Sequence, residues 1–253
     1  MFENKIKFLC LKEYLEFADH KPEPVSLNLP EWYKKLEHTF KNMTVKGCLP
    51  FMDTLTTGYL MRASQDFYVD LQHNPEAKTD EDKWHMRCAP AFAVASPSLK
   101  ANAEYLGLDI SGSTHHYKQL QGSKFIERNL APHFIKFDNP WYIETPPGYS
   151  CLFTPPLNNG DDRFECLAGI VDTDTHYMRV NFPAVFNGWK YKNGYKGTIK
   201  KGTPLVQVIP FKRESWKMEI GTVDKKEVDK RGFKMTVSRF KYIRSVWHKK
   251  ITR

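Results

Sequence analysis

Asp172 and Asp174 stand two residues apart in AGIVDTDTHYMRVNFP, residues 168 to 183, with His176 and Tyr177 just after them. If the segment runs as a strand, the two carboxylates share a face, roughly 6.5 to 7 Å apart. A pair at that separation suits a general base activating water, or a divalent-cation site. The same residues suit a turn, because Asp and Thr side chains bond to local backbone. Both readings stand at this point.

Other residues of reactive type are less organised. His115 and His116, in SGSTHHYKQL, are metal-ligand types, with His176 as a distant third donor. Neighbours on a strand point to opposite faces, so one ion rarely takes both. Ser150 and Cys151 follow a turn, but no base is identifiable beside them, and Cys151 reads as a core residue. The chain has no G-x-x-x-x-G-K-[ST] loop, no G-x-G-x-x-G and no G-x-S-x-G elbow. Its five cysteines are odd in number and none has C-x-x-C spacing. That argues against a disulfide framework or a zinc site, and for a reducing compartment with inert thiols.

These residues must be held by a scaffold, and its punctuation is plain from His133 onward. HFIKFDNPWYIETPPGYSCLFTPPL breaks at Asn-Pro, Pro-Pro-Gly and Pro-Pro. FECLAGIVD, HYMRVNFPAVF, GTIKKGTPLVQVIPF and WKMEIGTV continue the series of short β segments. Turn signals every 8 to 12 residues or so predict a barrel or sandwich. Upstream, KIKFLCL predicts a strand, and Pro30 opens a short helix with Trp32, Tyr33, Leu36 and Phe40 on one apolar face. DFYVDLQHN and WHMRC predict two strands of a hairpin whose polar tip is NPEAKTDEDK. Residues 96 to 131 read mostly as loop.

Charge marks a third region. Eleven Lys or Arg and two acids lie between Lys225 and Arg253, so this segment carries the whole net charge of +9. The preceding residues are balanced, which argues against nucleic-acid binding over the general surface. Within the tail, Phe233, Val237, Phe240, Tyr242, Ile243 and Trp247 recur mainly at steps of three and four, which predicts an amphipathic helix. Docking through Phe233, Val237, Phe240 and Trp247 is expected, on the chain's own body or on a neighbour. Phe240, Lys241, Arg244 and Trp247 are then the partner-facing candidates, and the basic stripe is able to meet nucleic acid or an acidic surface. No apolar run reaches 18 residues, so no transmembrane helix is expected. The N-terminal MFENKIKFLCLKEYLEF is charged throughout, so no cleaved leader is expected.

The order ETPPGYSCLFTPPLN, GIVDTDTHYMRVNF, GTIKKGTPLVQVIPF, over residues 144 to 211, resembles the trimeric dUTPase and dCTP deaminase superfamily. That resemblance implies a jelly-roll or β-clip core. It also implies a nucleotide site in which Asp172 activates water, Gln207 holds phosphate, and Asp174 orients the base or a Mg2+ ion. Several family features are replaced. Thr175 stands where a sugar-stacking tyrosine belongs, and Tyr177 has the opposite strand parity. TPPLNN has no arginine and two prolines where a phosphate cradle needs N–H donors. Pro204 stands where an arginine is usual, and a basic helix takes the place of a glycine-rich closing arm.

NPWYIETPPGYSCLFTPP, GIVDTDTHYMRVNFP and KGTPLVQVIPFKRESW also resemble a family of tailed-phage proteins, several from phages of marine bacteria. This likeness implies viral origin and carries no activity of its own.

The sequence thus predicts a mainly β protein: an N-terminal α+β elaboration over residues 1–132, a dUTPase-like β core over 133–222, and a basic amphipathic helix over 223–253. The expected role is a non-catalytic phage protein, a virion structural or assembly component that forms a homo-oligomer or binds other virion proteins, without a cofactor. The alternative is a dUTP or dCTP hydrolase or deaminase with an altered site and Mg2+. The expected setting is the virion or the host cytoplasm.

Overall fold

Turn chemistry lays out the second half of the chain. In Pro146–Tyr149 the Tyr149 N–H donates to Pro146 O at 3.2 Å, and Gly148 takes φ +85°. Proline then glycine at the two central positions is what a type II turn requires. Lys200–Thr203 repeats the device, with Gly202 at φ +84° and Thr203 N–H on Lys200 O. At the Asn-Pro break, the Asn139 side chain donates to Trp141 O and accepts from Trp141 N–H, so the backbone there is paired without a ladder.

The computed structural model describes residues 5–15, 20–39, 41–74, 76–78, 84–90, 113–115, 117–125, 134–191, 194–236 and 247–248. The strands are β1 (Lys7–Leu9), β2 (Glu23–Pro24), β3 (Tyr59–Arg62), β4 (Phe67–His73), β5 (Trp84–Pro90), β6 (Ser113–His115) and β7 (Phe134–Phe137). They continue with β8 (Tyr142–Glu144), β9 (Tyr149–Thr154), β10 (Phe164–Cys166), β11 (Gly169–Val171), β12 (Phe182–Phe186), β13 (Gly194–Ile199) and β14 (Pro204–Lys212). The α-helices are α1 (Lys12–Leu15), α2 (Glu31–Lys35), α3 (Leu49–Thr54) and α4 (Lys225–Thr236). The protein is mainly β, and among the described residues every strand pair is antiparallel.

Four sheets result among the described residues, in the orders β1-β8, β10-β12-β7-β6, β11-β9-β14-β3-β2 and β13-β4-β5. None closes into a barrel. Strands from before residue 132 alternate with later ones: β3 lies between β14 and β2, β4 between β13 and β5, and β6 beside β7. The 133–222 segment is therefore laced into the earlier chain rather than stacked beside it. One cluster fills the space between the sheets, with Phe67, Val69, Phe137, Cys151, Phe153, Phe164, Phe186, Ile199 and Val208 nearly or fully excluded from water. Gly58 is required where α3 turns into β3: it holds φ +79°, and a Cβ there would stand 2.3 Å from Val208 O.

The predicted β4–β5 hairpin is present, with Phe67 opposite Pro90 and His73 opposite Trp84. Three details differ from the sequence reading. Pro30 caps α2 rather than starting it, and the helix stops at Lys35, so Tyr33 is buried while Trp32 stays 45% exposed. The WKMEIGTV segment joins no sheet: residues 213–224 carry neither helix nor strand. The C-terminal helix starts at Lys225, within the expected 223–253 segment, where Asp224 accepts the Lys226 N–H at 2.9 Å and caps it. Phe233 is 71% exposed, so it does not dock on this chain's own body. Val237, Phe240, Lys241, Arg244, His116, most of 96–131 and much of the NPEAKTDEDK tip lie outside the described residues.

Candidate functional site

β11 ends at Val171, so Asp172 and Asp174 sit in a turn. Thr175 N–H and His176 N–H both donate to Asp172 O, at 3.0 and 2.9 Å. Thr173 is folded inward: its hydroxyl lies 2.8 Å from that of Thr145 and 3.3 Å from Cys151 Sγ, and the residue is 2% exposed. The turn thus plugs into the sheet through its threonine and presents its two aspartates on either side.

Both carboxylates nonetheless converge, because Arg213 comes up between them. β14 pairs with β9 in a register that sets Lys212 opposite Tyr149, and Arg213 N–H then donates to Gly148 O at 2.8 Å. From there its guanidinium holds both oxygens of Asp174, with Nη1 2.8 Å from Oδ1 and Nη2 on Oδ2. The Gly148 N–H donates to Asp174 Oδ2 at 2.8 Å. Arg213 Nη1 also reaches Tyr149 O at 2.9 Å, Ser150 Oγ at 3.1 Å and Asp172 Oδ1 at 3.4 Å. Ser150, wholly excluded from water, donates to Asp172 Oδ1 at 2.6 Å.

The two aspartates differ in consequence. The Arg213 hydrogen bond, helped by the Gly148 N–H, pulls the Asp174 carboxyl down to about 2. Its side chain is 5% exposed. The Asp172 side chain is 62% exposed and turned toward solvent. Asp174 is a clamp between three loops, while Asp172 remains an accessible carboxylate with Ser150 and Arg213 beside it.

Gln207 lies elsewhere on the same sheet and is 1% exposed. Its Oε1 accepts the Leu157 N–H at 2.9 Å, and its Nε2 donates to Thr54 O at 3.0 Å and Thr57 O at 2.6 Å. The whole amide is spent on backbone groups of the TPPLNN turn and the end of α3. In that turn Asn158 takes φ +55° and donates from Nδ2 to Thr54 Oγ1 at 2.7 Å.

No protein-family model and no curated protein matches this chain.

Among the described residues no group of three His, Cys, Asp or Glu side chains is placed to hold a metal. His115 stacks on Phe134, and its Nδ1 lies 3.0 Å from Gln119 Oε1. Five free cysteines remain, and burial pushes Cys88 up to about 12 and Cys151 to about 11. Tyr177 is 79% exposed. In the tail, the Trp247 indole N–H donates to Asp53 Oδ2 of α3 at 3.0 Å. Among the described residues no helix is long and apolar enough to cross a membrane.

Sequence reasoning missed Arg213, the residue that organises the whole turn. Its signal is a matter of register: it is the first residue past the strand that ends opposite the PPGY turn. Ser150 was noticed only as a nucleophile without a base, and its carboxylate partner Asp172 was already in view.

Proposed function

We propose that this chain is a non-catalytic structural or assembly component of a tailed-phage particle, built on an oligomerising, dUTPase-like jelly-roll scaffold with a C-terminal amphipathic helix. One observation carries the reading. Two side chains that a nucleotide site of that superfamily would offer to its ligand, Gln207 to phosphate and Asp174 to the base or a Mg2+ ion, are used internally: the Gln207 amide by Leu157, Thr54 and Thr57, and the Asp174 carboxylate by Arg213 and Gly148. A buried, satisfied amide stiffens a fold and has no donor left for a ligand. The phage assignment rests on the sequence resemblance, and the basic tail suits contact with nucleic acid or another acidic surface in a particle.

A second reading has one observation of its own. Asp172 keeps an exposed carboxylate beside the Ser150 hydroxyl and the Arg213 guanidinium. A dUTP or dCTP hydrolase or deaminase with an altered site would use Asp172 on water, with Mg2+ carried by the nucleotide. Hydrolysis and deamination assays on dUTP and dCTP, with and without magnesium, separate the two. The structural reading expects no turnover above background and detection of the protein by mass spectrometry in purified virions. Robust turnover abolished by Asp172→Asn would overturn it.

A further inference from the structure

Two Asn-Gly pairs fall wholly within the described residues, Asn159-Gly160 and Asn187-Gly188. A third, Asn193-Gly194, has its asparagine outside them. Such a pair can react with itself. The asparagine side chain brings a carbonyl carbon within reach of the next backbone nitrogen. Glycine in second place removes the Cβ that would crowd the attack, and lets the backbone turn toward it. Whether a pair reacts then depends on how the fold holds the asparagine.

Asn187 is held at every polar atom. Its Nδ2 donates to Asp162 O at 3.2 Å, and its Oδ1 accepts the Trp189 and Lys190 N–H groups at 3.1 and 3.2 Å. Its backbone N–H donates to Arg163 O at 2.9 Å, and its O accepts the Tyr191 N–H at 3.1 Å. The side chain builds the turn after β12, and cannot swing onto Gly188 without opening it.

Asn159 is held only by its backbone N–H, which donates to Pro156 O at 3.1 Å. Among the described residues its side chain has no hydrogen-bond partner, and neither has the Gly160 N–H. The pair lies in neither helix nor strand, and Gly160 is exposed. The chain is anchored on both sides instead. Upstream, Leu157 N–H is bonded to Gln207 and Asn158 to Thr54. Downstream, Asp161 is gripped by Arg163, with Nε 2.9 Å from Oδ1. Asn159-Gly160 is the slack link between two fixed points.

We infer that Asn159-Gly160 is a spontaneous modification site, converted to an aspartyl or isoaspartyl linkage in the folded protein, while Asn187-Gly188 is protected. Base takes the Gly160 amide proton, and the nitrogen attacks Asn159 Cγ. The new C–N bond closes a succinimide, and the side-chain nitrogen takes up a proton and leaves as ammonia. Water then adds to one of the two ring carbonyls and that C–N bond breaks. Addition at Cγ gives aspartate, and addition at the backbone carbonyl gives isoaspartate. In sum, amide and water become acid and ammonia, with no oxidant or cofactor. The product sets a new carboxylate two residues before Asp161. The isoaspartyl form lengthens the backbone only within the slack link, so the anchors stay in place.

This site stands apart from both the virion and the nucleotide readings, and its test does not touch them. The full chain is incubated at mildly alkaline pH, natively and in denaturant, and then digested with trypsin. The two pairs fall in separate peptides, 137–163 and 180–190. Mass spectrometry reads the amide-to-acid exchange, and an isoaspartate carboxyl methyltransferase with labelled S-adenosylmethionine reads the isoaspartyl form. In the native chain Asn159 is expected to convert at least about tenfold faster than Asn187, whose side-chain bonds must open first. In denaturant the two rates converge. Gly160→Ala should slow the Asn159 reaction and leave the thermal midpoint unchanged, because a Cβ there meets nothing within 4 Å. Equal native rates for the two pairs, or an Asn159 rate that rises on unfolding as much as that of Asn187, would overturn the assignment.

Discussion

Arg213 and Asp174 form a two-pronged ion pair that ties the end of β14 to the turn after β11 and, through Gly148, to the turn before β9. The pair gives the acid limb of stability a definite origin. An unfolded aspartate titrates near 3.8, and this one has been drawn down to about 2. A depressed carboxyl stabilises the fold fully above its unfolded value, and loses that contribution as pH falls from there through the folded value. Urea denaturation across pH 2 to 5 should therefore show wild type losing stability over that window. Asp174→Asn should be weaker at neutral pH and flatter over the same window. Equal slopes for the two proteins would count against the clamp.

Gln207→Leu keeps the volume and removes the amide. It leaves Leu157 N–H, Thr54 O and Thr57 O without their partner in a buried corner. Each unsatisfied backbone group costs about 1 to 3 kcal/mol, so a loss of about 3 kcal/mol or more is expected in chemical denaturation. A stability loss under about 1 kcal/mol would mean the corner relaxes freely.

Thiol accessibility should sort the cysteines. Cys48 is exposed, whereas Cys88, Cys151 and Cys166 are buried, and burial raises the thiol pKa of each of those three. Cys10, half covered, is also raised by burial. A disulfide reagent at pH 8 should modify Cys48 fast and Cys10 slowly, with the other three reacting only after denaturation. Rapid modification of Cys151 in the native protein would contradict its packing beside Thr173.

Trp247 ties the C-terminal region to α3 through Asp53. Trp247→Phe keeps the ring and deletes the donor, and should cost about 1 kcal/mol. Truncation after Arg231 should cost more, since it also removes the ring. A truncated chain as stable as wild type would show that this contact contributes nothing.

The sequence revealed local devices better than relational ones. Pro146-Pro147-Gly148 announces its turn because each central residue is fixed by its own backbone preference. The β4–β5 pairing was visible because period and punctuation agree over neighbouring residues. Arg213 was invisible because nothing near it says that it will face Asp174. That depends on the β14–β9 register, set by a core assembled from distant segments. Gln207 illustrates the reverse problem: its type suits a phosphate ligand, and only burial reveals that backbone groups take up its amide. The start of α4 at Lys225 falls within the expected 223–253 segment, where Asp224 caps it. WKMEIGTV reads as a strand, and its missing partner is a fact about tertiary structure.

The lacing of early and late strands sets a timetable for synthesis. Leu60 pairs with Gln207 and Phe67 with Ile199, so β3 and β4 wait for nearly the whole chain to leave the ribosome. At about 5 to 20 residues per second, that wait is on the order of 10 to 30 s. During it the nascent chain exposes open strand edges and the aromatic face meant for the core, with high loop-closure cost still to be met. A chain cut short anywhere before β13 leaves the β13-β4-β5 and β11-β9-β14-β3-β2 sheets incomplete. Such fragments should be captured by chaperones or aggregate, and the intact protein should begin to fold in earnest only after its last strand emerges.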